Sequence, residues 1–282
     1  MGDLHWYPGH MAKAKRAIAE DLKLIDVIIE LTDARAPMSS RNPDIDAMAN
    51  GKDRIMVMSK SDLAESPAND IWIGYFRDLG LDTACVDLKS GAGMKKVKSL
   101  LAGAAERKHE KDKKKGIRMQ RPVRALVCGI PNVGKSTFIN SMAGKNIAKT
   151  GNRPGVTKGK QWITVSKGIE LLDSPGLLWP KIEDERAALN LALLGSMNDE
   201  VIDRERLITE LAGILRERYS SMLSGLYGIL PEDDREAVLS KIAITMNMLQ
   251  KGGQPDIDRA KHYFLDSFRG GKLGRITLEL PG

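Results

Sequence analysis

Residues 129–136 read Gly-Ile-Pro-Asn-Val-Gly-Lys-Ser and match the pattern Gly-x-x-x-x-Gly-Lys-Ser. In this pattern, backbone N–H groups surround the α- and β-phosphates of a nucleotide, the lysine reaches the β- and γ-phosphates, and the serine hydroxyl binds Mg²⁺. Residues 123–128 predict a buried strand before the loop, and residues 137–143 predict a helix after it, whose N-terminus favours an anion. A glycine-rich turn with a surface lysine would not need this order, so the sequence predicts a site for a nucleoside triphosphate. The residues expected to contact the nucleotide are Asn132, Val133, Gly134, Lys135, Ser136 and Thr137.

A second group of residues is typical of a nucleotide switch. Residues 169–172 predict a short apolar strand that ends at Asp173, where a carboxylate can hold Mg²⁺ through water. Gly176 follows, and its N–H could meet the γ-phosphate. Thr157, in the loop 153–157, is the candidate hydroxyl that closes over Mg²⁺ when the γ-phosphate is present. Taken alone this loop is typical of an ordinary turn, but its position between the phosphate loop and Asp173 favours the switch.

The candidate base-recognition element lies before the phosphate loop. Residues 54–58 predict a strand, and a short polar loop follows it. The carboxylate of Asp62 can accept two hydrogen bonds from the N1–H and exocyclic amine of guanine, a donor pair that adenine lacks, and such pairing discriminates by about 1–3 kcal/mol. Lys60 would lay its aliphatic stem along the base. An ordinary helix N-cap region is the alternative. The residues assigned to the base site are Ser59, Lys60, Asp62, Ser90 and Gly91.

The order of these elements is unusual, because ordinary GTPases place the guanine element after the switches. Circular permutation gives the present order without changing the sheet, since the C-terminal ends of the strands form one crevice wherever the chain begins. Together with residues 6–14, 33–37 and 39–43, these elements resemble the circularly permuted GTPases of the YlqF/RbgA type over essentially the whole chain. Ser59 stands where that family has an asparagine, which contacts guanine N7 and ties this loop to the phosphate loop.

The resemblance implies an α/β fold. A circularly permuted Ras-like P-loop GTPase domain would occupy residues 1–180, and a small all-α C-terminal domain residues 181–282. It also implies a GTPase that docks on the maturing large ribosomal subunit, contacts its rRNA and proteins, and is released after hydrolysis stimulated by the particle. The alternative is a nucleotide-gated RNA-binding scaffold with negligible turnover. An RNA-modifying enzyme is disfavoured, because the sequence shows no second catalytic constellation or Cys/His metal cluster.

Hydrolysis requires a group that orients water, and many GTPases use a glutamine for this purpose. Leu177 and Leu178 occupy the corresponding stretch here, so we expect slow intrinsic turnover. The resemblance assigns the missing role to His10, although a structural histidine at a helix N-cap is the alternative. Asn132 is a candidate K⁺ ligand by likeness to related translation GTPases, or else a turn residue. The expected catalytic residues are His10, Lys135, Thr157 and Gly176, and the expected Mg²⁺ ligands are Ser136, Thr157 and Asp173.

Composition indicates a folded protein with an anionic partner. The chain has 282 residues, 42% of them apolar, and a net charge of +7, which favours an anionic partner such as RNA. It shows no apolar run that could cross a bilayer and no secretory signal, so we expect a cytoplasmic protein, monomeric away from the ribosome. Cys85 and Cys128 lie in predicted buried strands and favour packing over a disulfide. A basic linker at about 107–122 is either a solvated connection or an RNA contact.

The remaining segments predict mostly helices. Residues 11–24 predict a helix and residues 25–31 a strand, after which Arg35 has no assigned role. Residues 270–275 predict a basic, mobile tail that could touch RNA. Because residues 177–180 lead directly from the second switch into the helices, we expect the γ-phosphate to bias the position of the helical domain. The helices predicted in that domain span residues 186–194, 202–218, 233–249 and 257–268.

Overall fold

A computed structural model of the chain describes residues 20–49, 51–117, 121–144, 161–173, 182, 184–197 and 203–282. The strands are β1 (Val27–Asp33), β2 (Asp53–Ser59), β3 (Asp82–Val86), β4 (Val123–Gly129), β5 (Gln161–Ser166) and β6 (Ile169–Asp173). They form a six-stranded sheet in the order β3-β2-β1-β4-β6-β5. Neighbouring strands run parallel except β5 and β6, which are antiparallel. The strand before the phosphate loop therefore lies at the centre, with β1 and β6 on either side.

Helices cover the sheet and form a separate bundle after it. They are α1 (Pro43–Ala49), α2 (Ser66–Asp78), α3 (Met94–Lys114), α4 (Lys135–Ala143), α5 (Glu185–Leu193), α6 (Arg204–Arg218), α7 (Ser220–Tyr227), α8 (Arg235–Thr245) and α9 (Ile257–Gly270). Parallel strands have to be covered on both faces, and α1 to α4 alternate with strands as this requires. The α/β fold with an all-α region at its C-terminal end, expected from the sequence, is confirmed.

The strand β1 shows why the sheet forms where it does. Every residue of β1 is buried, and alternate side chains enter two different clusters. Ile29 and Leu31 pack in the large core that includes α3, whereas Ile28 packs on the opposite side with Leu126. Burial on both faces is typical of a central parallel strand, and in β1 it extends to the polar residues Glu30, Thr32 and Asp33. The strand begins at Val27, two residues later than predicted, because Leu22–Leu24 form a short 3-10 helix that ends at Ile25.

The helices of the C-terminal region begin at aspartate caps. Helices α5, α6, α8 and α9 each follow an aspartate whose carboxylate accepts a backbone N–H of the first turn: Asp184, Asp203, Asp234 and Asp256. Such caps satisfy N–H groups that have no partner inside the helix. Two predictions for this region were wrong. Helix α7 was not predicted, and α8 ends at Thr245 rather than at residue 249, because Asn247 takes a left-handed φ of 52°.

The segment predicted as a basic linker at about 107–122 is partly helix. Helix α3 continues to Lys114, so residues 107–114 are not a linker. Arg107 donates to Asp53 and Asp82 on the neighbouring strands, and Arg121 binds Asp26 through both terminal nitrogens at 2.8 and 2.9 Å. These cations are therefore partly neutralised by carboxylates of the same protein, which reduces their contribution to RNA binding.

The predicted mobile tail is also wrong. Gly270 is the last residue of α9, and Leu273 is buried. Beyond it, Ile276 and Leu278 are buried as well, since the chain turns back against the α/β domain. Burial of these apolar side chains stabilises the docked position, by about 1.5–3 kcal/mol for each fully buried residue.

Among the described residues, no helix combines the length and the apolar character needed to span a bilayer. Cys85 and Cys128 are both free thiols, and Cys128 is buried. Burial raises the pKa of the Cys85 thiol to about 12, so it is protonated and unreactive at neutral pH.

Candidate nucleotide-binding site

The site residues predicted from sequence follow strands that end at one edge of the sheet. Asp33 at the end of β1 pairs in register with Ser59 at the end of β2. On the other side of the centre, Val127 of β4 pairs with Asp173, the last residue of β6. Because these strands are parallel, the loops that follow them meet at the carboxyl edge, where α/β sheets bind ligands.

The phosphate loop depends on glycine at its first position. Gly129 has a φ of +151°, and a Cβ there would lie 2.4 Å from the carbonyl oxygen of Leu31. No side chain fits without moving β1. Asn132 and Gly134 also take positive φ values, 59° and 100°. Gly134 is the N-cap of α4, so the loop turns directly into a helix whose first N–H groups can bind an anion.

Lys135 lies inside this loop rather than on the surface. Its side chain is buried, and its Nζ donates to the carbonyl oxygens of Gly129 and Ile130 at 3.1 and 2.7 Å. Burial lowers the pKa of Lys135 to about 8, against the opposing effect of the nearby Asp173 carboxylate. Asp173 is itself buried at the end of β6. Burial therefore disfavours the charged form of Lys135, and a bound phosphate would favour it.

Ser59 joins the predicted base-recognition loop (residues 59–62) to the phosphate loop (residues 129–136). Its side chain is fully buried, and its Oγ lies 2.6 Å from the carbonyl oxygen of Val133 and 3.0 Å from that of Thr32. The single hydroxyl proton serves these two acceptors. Residues 74 positions apart in the sequence are thereby hydrogen-bonded. The buried hydroxyl faces backbone, so Ser59 acts here as a tie between loops rather than as an exposed base contact.

Lys60 and Asp33 form the next contact of the base-recognition loop. Lys60 takes a left-handed φ of 56°, and its Nζ lies 2.9 Å from Asp33 Oδ2. Asp33 also receives two guanidinium nitrogens of Arg35, each at 2.9 Å. Burial raises the pKa of Asp33, but the charges and hydrogen bonds of Arg35 and Lys60 outweigh it and hold the pKa well below its usual value.

Asp62 and the second base loop lie nearer the surface. The Asp62 side chain is partly exposed, 3.8 Å from the Lys89 ammonium. Ser90 is exposed and donates to Asp87 at 2.5 Å, and Gly91 has a φ of 78°. Leu88 of this loop packs against the phosphate loop at Gly134: a Cβ added at Gly134 would lie 3.1 Å from Leu88 Cδ1.

Asn132, Ser136 and Thr137 are the remaining predicted nucleotide contacts in the phosphate loop and at the start of α4. Asn132 Nδ2 donates to the carbonyl oxygen of Gly195, just after α5, at 2.6 Å. The phosphate loop is thus hydrogen-bonded to the helical region. Ser136 is partly buried and Thr137 is exposed, both in the first turn of α4. His10, Thr157 and Gly176 lie outside the described residues, and so do Leu177 and Leu178.

The oxygen atoms of the site suit an Mg²⁺ ion that is bound mainly by the phosphates of a nucleotide. In the described part of the chain, no cluster of three or more His, Cys, Asp or Glu side chains could hold a metal ion. Ser136 follows Lys135 in the chain, and the Asp173 carboxylate is close enough to Lys135 to oppose the lowering of its pKa by burial. These oxygen ligands suit Mg²⁺, because this ion keeps several waters and binds substrate phosphates. A positive-φ loop, a buried lysine and these oxygens therefore fit a magnesium–nucleotide complex.

Sequence reasoning missed two parts of this edge. Arg35 was left without a role, although its position two residues after Asp33 at the end of a strand was a signal. The C-terminal segment 276–279 was also missed, because nothing in its sequence indicates contact with residues 35–65. Its hydrogen bonds to Leu63 and Arg35 are visible only in the folded chain.

Comparison with known proteins was made against families, sequences and structures. A family described as 50S ribosome-binding GTPase matches residues 124–223. Ribosome biogenesis GTPase A from Bacillus cereus is 44% identical over 280 residues, which cover 99% of this chain and 94% of the relative. The protein of that name from Thermotoga maritima is 33% identical over 278 residues, covering 99% and 95%. The crystal structure of GNP-bound YlqF from T. maritima has a TM-score of 0.67 at 30% identity, covering 95% of this chain and 98% of that one.

The fold and the site together define a P-loop GTPase. The loop predicted to recognise guanine precedes the phosphate loop, an order consistent with circular permutation. A GDP-bound structure of YlqF also matches, with a TM-score of 0.68 at 28% identity over 94% of this chain and 99% of that one. The chain belongs to the ribosome biogenesis GTPase A family. The resemblance to the YlqF/RbgA type is confirmed.

Proposed function

We propose that this protein binds and hydrolyses GTP and acts in the assembly of the large ribosomal subunit, from which it is released after hydrolysis. The hydrogen bond from Ser59 Oγ to the Val133 carbonyl carries the nucleotide part of the proposal, because it joins a guanine-type loop to a phosphate loop at one edge. Relatives named for ribosome biogenesis and a family named for binding the 50S particle support the ribosomal part.

The predicted residues of the site have distinct roles in this proposal. Lys135 binds the β- and γ-phosphates, and the anion favours its charged form. Asp62 accepts the N1–H and amine of guanine, while Lys60 covers the base. Ser136 and Asp173 hold Mg²⁺, together with Thr157, and the ion neutralises charge that develops on the phosphate oxygens. The other nucleotide contacts are Ser90, Gly91, Val133, Gly134, Thr137 and Gly176.

Hydrolysis uses residues that the sequence places near the start of the chain and in the phosphate loop. His10 orients or deprotonates the attacking water. Asn132 keeps Oδ1 for K⁺, since its Nδ2 is bonded to the Gly195 carbonyl. The ion would supply positive charge beside the phosphates. The cytoplasm is the compartment of such a factor, which we propose is a monomer away from the ribosome.

The base can be tested with one substitution. Asn in place of Asp62 can donate to the C2 carbonyl of xanthine, whereas Asp accepts from the amine of guanine. We expect wild-type protein to prefer GDP over XDP and Asp62→Asn to reverse the preference, by about 10-fold or more. Isothermal titration of GDP, XDP and ADP measures this. Asp78→Asn, an exposed acid at the end of α2, is the matched control and should leave the preference unchanged. Equal affinities of wild-type protein for GDP and ADP would exclude a guanine site.

A scaffold that binds GTP without turning it over is the second candidate. It is favoured by Leu177 and Leu178, neither of which can hydrogen-bond water. Phosphate release measured with and without large ribosomal subunits, in K⁺ and in Na⁺, distinguishes the two. A GTPase should accelerate by at least about 100-fold on the particle, given that general acid–base groups contribute that much. A scaffold would show the same slow rate in every condition.

A further inference from the structure

The last residues of the chain lie against the base-recognition loop. Ile276 donates its backbone N–H to the carbonyl oxygen of Leu63 at 2.9 Å. The backbone N–H of Glu65 donates to Thr277 Oγ1 at 3.2 Å. Leu63 is the residue directly after Asp62, so these two bonds fix the loop immediately beside the carboxylate proposed to read guanine.

The same segment also fixes the loop that follows β1. Leu278 donates its N–H to the Arg35 carbonyl at 2.8 Å. Glu279 accepts the backbone N–H groups of Met38 and Ser39 at 2.6 and 2.8 Å. Arg35 in turn holds Asp33, the carboxylate that binds Lys60 of the base-recognition loop. The segment 276–279 therefore contacts both loops that set the base side of the site.

Packing makes this arrangement tight. Ile276 and Leu278 are 1% and 2% exposed, and Thr277 is fully buried. At the end of α9, Gly271 has a φ of +77°, and a Cβ there would lie 2.3 Å from Leu63 Cδ2. The left-handed φ favours glycine at this position, and the Leu63 side chain packs against the space that a Cβ would take. The helix end and the segment after it thus close against Leu63 from two directions.

The helical region is anchored to the same point by a buried cation. The Arg35 guanidinium donates to the carbonyl oxygens of Phe268 and Arg269 at 3.2 and 3.4 Å, and its carbon lies 5.1 Å from the Phe268 ring centre. These carbonyls belong to the last turn of α9, whose oxygens have no partner within the helix. Arg35 therefore connects Asp33 and the base side of the site to the end of the helical region.

We propose that the C-terminal segment Ile276–Glu279 positions the guanine-recognition loop, so that base selectivity depends on residues more than 200 positions away from Asp62. The inference rests on the proposed GTP function of that loop. A carboxylate recognises two donors at once only when it is held in place, and small displacements remove bidentate geometry. A loop on its own is mobile, and here backbone hydrogen bonds from segment 276–279 immobilise it. Thr277 is a positioning residue, since its hydroxyl acts on Asp62 only through the backbone of Glu65.

Thr277→Val tests the proposal, because valine keeps the shape and removes only the hydroxyl that accepts from Glu65. We expect affinity for GDP to fall about 3- to 10-fold, as for one hydrogen bond in a buried site, while affinity for ADP stays unchanged. Thr209→Val is the matched control, since the Thr209 hydroxyl bonds its own helix at Glu205. Circular dichroism checks the fold of both variants. Equal losses for GDP and ADP, or no loss for either, would overturn the proposal.

Hydrogen exchange of the unmodified full-length protein gives an independent readout. If segment and loop are one unit, saturating GDP should slow exchange of the Ile276 and Leu278 amides by about 3-fold or more, whereas ADP should not. Unchanged exchange at both amides, with slower exchange in the phosphate loop, would overturn the proposal even if Thr277→Val does not fold. Failure of the proposed function looks different: the wild-type protein would then bind GDP and ADP equally, and Asp62→Asn would change neither affinity.

Discussion

Lys135, the residue proposed to bind phosphate, is buried in a way that destabilises the nucleotide-free protein. Its ammonium is buried, and its pKa falls from 10.5 to about 8 because burial disfavours the charged form. Each unit of difference in pKa corresponds to about 1.4 kcal/mol. The difference between 10.5 and 8 is 2.5, so the charged lysine destabilises the fold by about 3 kcal/mol at pH 7.

Lys135→Met should therefore stabilise the nucleotide-free protein. Methionine fills a similar volume without a charge. The carbonyl groups of Gly129 and Ile130 lose a donor, which costs about 1 kcal/mol each at the lower end of the range for buried acceptors. We expect a net gain of about 1 kcal/mol in the free energy of unfolding at pH 7, and loss of tight GDP and GTP binding.

The dependence on pH has a definite sign. Between pH 8 and pH 10.5 the unfolded chain keeps the lysine proton while the folded protein has lost it. Stability of wild-type protein should consequently rise with pH across this window, relative to Lys135→Met. Taking the difference between the two proteins cancels the titration of the groups that do not interact electrostatically with Lys135.

Urea unfolding at pH 7 and pH 9.5 measures both effects, and fluorescent GDP measures binding. Lys98→Met on the exposed face of α3 is the matched control, and it should change stability by less than about 0.5 kcal/mol. A Lys135→Met protein less stable than wild type at pH 7, or a difference between the two proteins that does not change with pH, would refute the electrostatic reasoning.

Two further substitutions test the contacts around the base side of the site. Ser59→Val removes the hydroxyl bonded to Val133, and GDP titration should show an affinity about 5- to 30-fold lower. The control Ser99→Val, on the exposed face of α3, should leave GDP affinity unchanged. Unchanged affinity in Ser59→Val would mean that this hydrogen bond is dispensable. Arg35→Met leaves the buried Asp33 carboxylate with one cation, and urea unfolding should show a loss of about 3–5 kcal/mol, less in Arg35→Lys; a neutral effect would contradict the anchoring role.

Local patterns in the sequence were sufficient for the sheet and the phosphate loop. The buried run of β4, the glycines of the loop and the start of α4 lie within residues 123–143, so neighbouring residues determine the whole unit. The same holds for the helices capped by Asp184 and Asp203, because each cap acts on its own first turn. The approach of the residue 59–62 loop to the phosphate loop was also expected, since parallel strands bring their carboxyl ends to one edge, whereas the hydrogen bond between Ser59 and Val133 was not predicted.

Long-range packing was not predictable in the same way. Residues 270–275 are basic and rich in glycine, which is typical of a flexible tail, yet Leu273, Ile276 and Leu278 are buried against other elements. Likewise, the positive charges after residue 107 suggested a free linker, but their partners are distant in sequence: Asp26 lies just before β1, and Asp53 begins β2. In both cases the deciding interaction is between segments that share no local pattern.

These long-range contacts change the expected route between nucleotide and helices. The sequence suggested coupling through residues 177–180, which lie outside the described residues. Other connections exist within them: Asn132 of the phosphate loop bonds Gly195, and Arg269 of α9 donates to Ala192 and Leu193 at 2.8 and 3.1 Å. Since α9 also receives Arg35 from the base side, the helical region contacts both halves of the site. A displacement of α9 would therefore strain the phosphate loop and the guanine loop together, whichever way the second switch moves.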